Sequence, residues 1–389
     1  MRHPKSDGFG SLTRQEFLRR MGVVGIAAAT TGVFSSCGSP LVANAPKEPS
    51  DFTMTLGQPG ASSQIPNSIA IAKDDPRVTF RGGAARTRAE WPNDILATGI
   101  TPDWAGGFEV EFMYDGRMLE TYEYASKQWF TPIFDSTIGT THKDTPYDYT
   151  LRYRLLDYGT AATRRVRLQL NGYMGLRIEP GSSMTAVQTP LGSRTIFLGD
   201  SFTFGTAGPY PDGSLYGGYS ITTGIEAGLD AWPSGVGATG ILNDAGGAAG
   251  WVKFRDRVST DVIPFKPEVV VIAGGINDRL LVADGTATPS QYRTEYDALI
   301  ADIKTGLPDA KIVVLGPFCP GTPSSYTGMT QVRDLNREAA QAAGVPFIDV
   351  FYFTDAERSK YVSADGFHLN AAGHDYLGKK LAADLTPVL

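Results

Sequence analysis

Thr195-Ile196-Phe197-Leu198-Gly199-Asp200-Ser201-Phe202-Thr203-Phe204-Gly205 is the stretch that decides the fold of this chain. Its apolar run carries no polar alternation, so it reads as a strand buried on both faces, the kind found in parallel sheets covered by helices. The glycine, acid and serine that follow read as a tight turn that lifts Ser201 out at the strand end. Working outward, apolar strands are expected at residues 194–198, 239–242, 268–273, 311–315 and 346–350. Helical segments are expected near 219–231, 251–261, 289–305, 326–343 and 371–385. Five β-α units in a row predict an α/β domain, a parallel sheet with helices on both faces. Ligands of such sheets bind beyond the carboxyl ends of the strands.

Upstream the texture differs. Between 76 and 188 the period is two: Phe108, Val110 and Phe112 alternate with Glu109 and Glu111, Leu151, Tyr153 and Leu155 with Arg152 and Arg154, and Val166, Leu168 and Leu170 with Arg165, Arg167 and Gln169. Turn signals at 106–107, 115–116 and 171–172 break the runs, which predicts an all-β sandwich, jelly-roll-like, with the named apolar residues inside. Residues 38–75, rich in Pro, Ser, Ala and Gly, read as a linker. The expected organisation is thus 1–37, 38–75, 76–188 and 189–389.

The first 37 residues form an export signal in this reading. Arg14, Arg19 and Arg20 precede an apolar stretch at 22–34, too short to span a bilayer but suited to a signal's hydrophobic region. Residues 13–18 resemble a twin-arginine signal, with Gln15 where the second arginine would stand. Small residues leading into Cys37 resemble a bacterial lipobox, with Phe34 in the usual leucine position. Lipidation of Cys37 would anchor the mature protein to a membrane without spanning it, placing it outside a bacterial cell or on its surface.

Composition bounds the rest. With 389 residues the chain can bury two cores, and 42% hydrophobic with 20% charged residues is ordinary for a globular protein. A net charge of −6 leaves no basic surplus for phosphates, so no nucleic-acid partner is expected. Two cysteines exist, Cys37 and Cys319, and the latter reads as a packing residue rather than a nucleophile.

Three stretches emerge at the strand ends, and a fourth, after the fifth strand, can reach them. They are Gly199-Asp200-Ser201, the glycine turn at 243–250, Gly274-Gly275-Ile276-Asn277-Asp278, and Asp365-Gly366-Phe367-His368. A serine hydroxyl needs a base to take its proton, and His368 is suited to that task. Asp365, three residues earlier, can hold the far ring nitrogen and fix the tautomer. A developing oxyanion needs donors already in place: the Ser201 N–H, a backbone N–H of the glycine turn, or the Asn277 amide. Singly, Ser201 could cap a helix, Asn277 could shape a turn and the glycines could serve close packing. Asp278 reads as structural, hydrogen-bonding its own loop, and His374 as a structural or rim residue. Asp365, His368 and His374 find no further ligand cluster, so no metal or other cofactor is expected. The chain has no Gly-x-Ser-x-Gly elbow, which sets aside an ordinary α/β-hydrolase.

In their order these four blocks resemble those of the SGNH (GDSL-like) hydrolase superfamily, over about 195–389. The resemblance implies a flavodoxin-like three-layer α/β/α fold and serine ester hydrolysis. It makes Ser201 the nucleophile, His368 the base, Asp365 its partner and Asn277 an oxyanion donor, with Gly247 or a neighbouring amide as another. A β-sandwich ahead of such a domain is similar to the layout of two-domain carbohydrate esterases. The expected activity is removal of short acyl groups, acetyl foremost, from a small molecule or polysaccharide. Alternatives are a lipase, thioesterase or acyltransferase of the same fold, or a surface glycan-binding protein with an idle triad. Tyr210, Tyr216 and Trp251 are candidates to stack on sugar rings or line an acyl pocket.

Overall fold

Val269–Ala273 is apolar at every position, so it has to lie inside a sheet that is covered on both sides. The computed structural model describes residues 49–389 apart from 61, 82–85, 88–94, 97–107, 125–128, 135, 136, 140, 141, 144–150, 171, 172, 207–217 and 247–250. The export signal with Cys37, the loop carrying Tyr210 and Tyr216, and Gly247 therefore lie outside the described residues.

The N-terminal half is antiparallel. Its strands of three or more described residues are β1 (Thr53–Leu56), β2 (Ile69–Ile71), β3 (Thr79–Arg81), β4 (Phe108–Tyr124), β5 (Trp129–Phe134), β6 (Leu151–Leu170), β7 (Leu176–Ile178) and β8 (Ser183–Thr185). β4 and β6 are the long pair, running in register from Leu168 opposite Val110 to Leu156 opposite Leu119, with an irregularity between Asp157 and Ala162. β1 pairs with β6, while β3, β7 and β8 pair with β4.

Two expectations change here. The stretch 38–75 is not all linker, because β1 and β2 are strands of the sheet and Phe52 and Ile65 are buried. Strands of three or four residues carry too few alternations to show a period. The inward face of 151–158 is also the reverse of the one expected, since Arg152 and Arg154 are buried and Leu151, Tyr153 and Leu155 only half so. Arg152 donates to Gly57 O at 3.2 Å, and the Arg154 guanidinium lies 4.6 Å from the Phe130 ring centre.

At the other end of β4 and β6 both faces are buried: Val110, Phe112 and Leu168 on one, Glu109, Glu111, Arg167 and Gln169 on the other. The second face meets the C-terminal half. Arg81 pairs with Glu109 on its own side and with Asp230 across the junction, and Arg167 Nε reaches Glu109 at 2.7 Å. Burial works against the Glu109 carboxylate, but Arg167 and Arg81 outweigh it and hold its pKa below the ordinary value.

The C-terminal half is a five-stranded parallel sheet. Its strands are β9 (Arg194–Gly199), β10 (Asp230–Gly235), β11 (Val269–Ala273), β12 (Lys311–Leu315) and β13 (Phe347–Ile348), ordered β10-β9-β11-β12-β13. That is the 2-1-3-4-5 order of flavodoxin-like sheets, whose switch point lies between the first and third strands. Alternate residues fill two cores. Phe197, Val271 and Val313 face α2 (Gly218–Ala227) and α8 (Ala371–Leu385). Ile196, Leu198, Val270 and Ile272 face α3 (Phe254–Arg257), α5 (Pro289–Gly306) and α6 (Met329–Ala343).

The second strand is not where the apolar pattern places it. It is Asp230–Gly235, parallel to β9 from Arg194 opposite Asp230 to Gly199 opposite Gly235. Pro233 reads as a strand breaker, yet β10 is an edge strand, where one row of N–H groups needs no partner. Residues 239–242 form instead a turn that grips the site.

Candidate active site

β9 ends at Gly199, where a side chain would collide with Thr203 Oγ1 and the Ala273 carbonyl. Asp200 then caps the four-residue helix α1 (Ser201–Phe204), accepting from Phe202 N at 3.0 Å, and Gly205 closes it with φ 88°. This tight hairpin of capping bonds sets Ser201 at the first helical position, with its amide among the unpaired first-turn donors. The other Asp200 oxygen is buried without a partner among the described residues, and burial pushes the carboxyl up to about 7 against the Phe202 amide.

The partner elements come from the C-terminal turn between α7 (Arg358–Tyr361) and α8. Asp365 Oδ1 accepts from Ser363 Oγ at 2.6 Å and from the Phe367 and His368 amides, each at 2.9 Å. Its Oδ2 lies 2.7 Å from His368 Nδ1, and His368 Nε2 lies 3.0 Å from Ser201 Oγ. Burial opposes the Asp365 charge, but His368, Ser363 and the amides outweigh it and hold the carboxyl far below the usual carboxylate range. An acceptor at Nδ1 assigns the proton to that nitrogen, which leaves the Nε2 lone pair facing the serine hydroxyl. The arrangement can take a proton from Ser201 and hold the resulting positive charge beside a carboxylate. Beneath it, Phe202 packs against the Phe318, Phe367 and His368 rings at 5.5, 6.0 and 5.6 Å between centres.

The third strand end delivers Asn277. Its side-chain amide donates to Thr239 O at 2.9 Å, and its backbone carbonyl accepts from Asn243 Nδ2 at 2.9 Å. One amide N–H then remains for another acceptor. Asp278 is structural, as expected, but it grips the neighbouring turn rather than its own. It accepts from the amides of Ile241, Leu242 and Asn243 at 3.0, 2.8 and 2.9 Å. Burial still raises its pKa.

Gly237 is the residue that the sequence reading missed. It lies two residues beyond the end of β10, and a Cβ added there would have Ser201 Cβ, at 3.8 Å, as its nearest neighbour. Its N–H donates to no acceptor among the described residues. Gly235-Val236-Gly237 is the signal in the sequence, hidden once the second strand is drawn at 239–242.

His374 is not on the rim. It is 1% exposed, its Nδ1 accepts from Tyr219 N at 3.2 Å, and its Nε2–H donates to Thr206 O at 2.9 Å. It thereby ties Thr206 to Tyr219. Burial, countered in part by Thr206, brings its pKa down from 6.5 to about 4. The folded state thus favours neutral His374, while the unfolded chain takes up a proton below 6.5. This stabilisation is complete above pH 6.5, is lost as pH falls towards 4, and amounts to about 3 kcal/mol. We expect His374→Gln to flatten this part of the acid limb in urea titrations between pH 7 and 4; a limb as steep as the wild type's assigns it to other groups. Cys319 is buried, donates to Gly321 O at 3.0 Å and is pushed up to about 11 by burial, as suits a packing thiol.

Residues 197–376 match the sequence pattern of the GDSL-like Lipase/Acylhydrolase family. The GDSL lipase Rv0518 of Mycobacterium tuberculosis is 30% identical over an alignment 198 residues long that covers 48% of this chain and 78% of that protein. A family two carbohydrate esterase from Cellvibrio japonicus superposes with a TM-score of 0.62 at 16% identity, over 83% of this chain and 98% of that one. The salicylyl-acyltransferase SsfX3 of a tetracycline biosynthetic pathway gives 0.62 at 16% identity, over 84% and 100%. At these identities the structural likeness is one of fold, and it spans both halves of the chain.

Proposed function

The chain belongs to the GDSL-like lipase/acylhydrolase family, and from that premise we propose an exported serine esterase that removes short acyl groups, acetyl foremost, from a carbohydrate. As a member of that family it is a carboxylic ester hydrolase. Ser201 attacks the ester carbonyl while His368 takes its proton and Asp365 stabilises the imidazolium. The tetrahedral oxyanion is met by the amides of Ser201 and Gly237 and by the free N–H of Asn277, and one such donor is typically worth about 100- to 1000-fold in kcat. His368 returns the proton to the leaving alcohol, and water then releases the acyl group by the same route. The observation that carries this reading is the continuous line from Ser201 Oγ through His368 to Asp365, at 3.0 and 2.7 Å.

Several features support the finer reading. The antiparallel half, taken as a jelly-roll-like sandwich, and the parallel half together align with a carbohydrate esterase along nearly its whole length. Export and an anchor at Cys37 rest on the pattern of residues 1–37. Acyl transfer to an alcohol other than water is the second reading, favoured by the equal likeness to an acyltransferase.

A chain-length series of nitrophenyl esters with acetate release from acetylated polysaccharides tests the substrate class. Activity highest on acetyl and falling with chain length, with acetate released from the polymer, is expected. A preference for long acyl chains would replace this reading with a lipase. Product formed only when an alcohol acceptor is added would replace it with a transferase.

A further inference from the structure

Six of the eight arginines between 189 and 389 have a carboxylate partner: Arg194 with Asp230, Arg255 with Asp302, Arg257 with Asp261, Arg293 with Glu338, and Arg333 and Arg337 with Asp334. Arg279 and Arg358 have no ion-pair partner among the described residues. Both lie against the turn that carries His368. Arg279 stands two residues after Asn277, and its guanidinium carbon is 5.4 Å from the centre of the Phe367 ring. Its Nη1 donates to Ile276 O at 2.6 Å, and its Nε is buried with no partner among the described residues. Arg358 Nη2 donates to Gly366 O at 2.6 Å, and its guanidinium carbon lies 5.8 Å from the Tyr326 ring centre. The Tyr326 hydroxyl is buried and likewise unpartnered. Asp355, the acid whose charge Arg358 feels, is engaged elsewhere, accepting from Thr322 N and Ser325 Oγ, each at 2.9 Å.

We propose that Arg279, flanked by Tyr326 and Arg358, is a subsite for a carboxylate carried by the substrate, so that the enzyme prefers acyl esters of acidic sugars to those of neutral ones. This rests on the esterase reading. A guanidinium does not discharge in a protein, and keeping one half-buried without a counter-ion is unfavourable. Gripping the Ile276 carbonyl needs a single neutral donor, and with Nε buried the three remaining Nη hydrogens and the charge are left for another purpose. The planar fork of guanidinium matches a carboxylate. The position, between the third strand end and the His368 turn, puts that carboxylate on the substrate rather than on a separate effector.

O-acetyl galacturonic acid and O-acetyl galactose, which differ by a carboxylate in place of a hydroxymethyl group, are a matched pair of probes. Wild-type kcat/KM is expected to favour the uronate by about 10- to 100-fold, the range of one charge-assisted hydrogen bond. Arg279→Met should bring the ratio close to one, and Arg279→Lys should keep part of it. Added salt should shrink the wild-type ratio, which needs no variant to fold. Because both rates come from one sample, loss of folded protein cancels from the ratio. No wild-type preference, or equal losses on both esters in Arg279→Met, overturns the subsite and leaves the esterase standing. If neither these sugars nor simple nitrophenyl esters are cleaved, the esterase reading falls and takes the subsite with it.

Discussion

Ser201→Ala is expected to lower kcat on a short-acyl nitrophenyl ester by about 10⁴- to 10⁶-fold, the scale seen when a hydrolase loses its nucleophile. The Ser201 hydroxyl has one hydrogen-bond partner among the described residues, His368 Nε2 at 3.0 Å. The structural duties of the residue belong to its backbone, whose carbonyl accepts from Gly205 N and Thr206 N at 3.1 and 2.9 Å. Alanine keeps those bonds and suits the first turn of a helix, so the melting temperature should hardly move. The loss is then chemical and not structural. Wild-type-like turnover in the variant would mean that another group attacks the ester, and the proposed chemistry would be wrong.

Asp365→Asn is expected to cost kcat about 10³- to 10⁴-fold near neutral pH while KM stays near the wild-type value. Two effects combine. The amide no longer fixes the proton on His368 Nδ1, because its NH₂ can donate there and turn the ring to the tautomer whose Nε2 carries hydrogen. The neutral side chain also removes the charge that stabilises the imidazolium. Asp365 Oδ1 accepts three hydrogen bonds that shape the turn, and an asparagine carbonyl can keep them. Kinetics and melting temperature should therefore separate: a small thermal shift with a large kinetic loss supports an electrostatic role. Loss of kcat only in step with loss of folded protein would make Asp365 a purely structural residue.

How far the sequence reaches follows from what each element needs. Lys311–Leu315 and Ala371–Leu385 lie where the apolar runs and helix signals put them, because their environments are set by two covering layers that every strand and helix of this type shares. The meeting of Ser201, Asp365 and His368 is legible for other reasons: a parallel strand delivers Ser201 at its carboxyl end, and the Asp-x-x-His spacing lets one turn carry both partners. The misreadings have another origin. Asp230–Gly235 carries an acid and a proline, and it is a strand because it runs along the edge of the sheet and because Arg81 of the other half meets Asp230. Arg152, Arg154, Glu109 and Glu111 are buried because ion pairs, hydrogen bonds and an aromatic face satisfy them, through partners distant in sequence. Alternation of polar and apolar residues does not reveal which face of a strand is buried when both are covered. Gly237 illustrates the same limit at the site: its value lies in proximity to Ser201, which follows only from the true position of the edge strand.

Covalent labelling tests the central claim most directly. The protein is treated with a small fluorophosphonate, which phosphonylates an activated serine and expels fluoride, and is then weighed intact and mapped by peptide mass spectrometry. The account predicts one adduct per chain, on the peptide containing Ser201, with concurrent loss of ester hydrolysis and no adduct in Ser201→Ala. An adduct on a different residue, or ester hydrolysis that survives full labelling of Ser201, would contradict it.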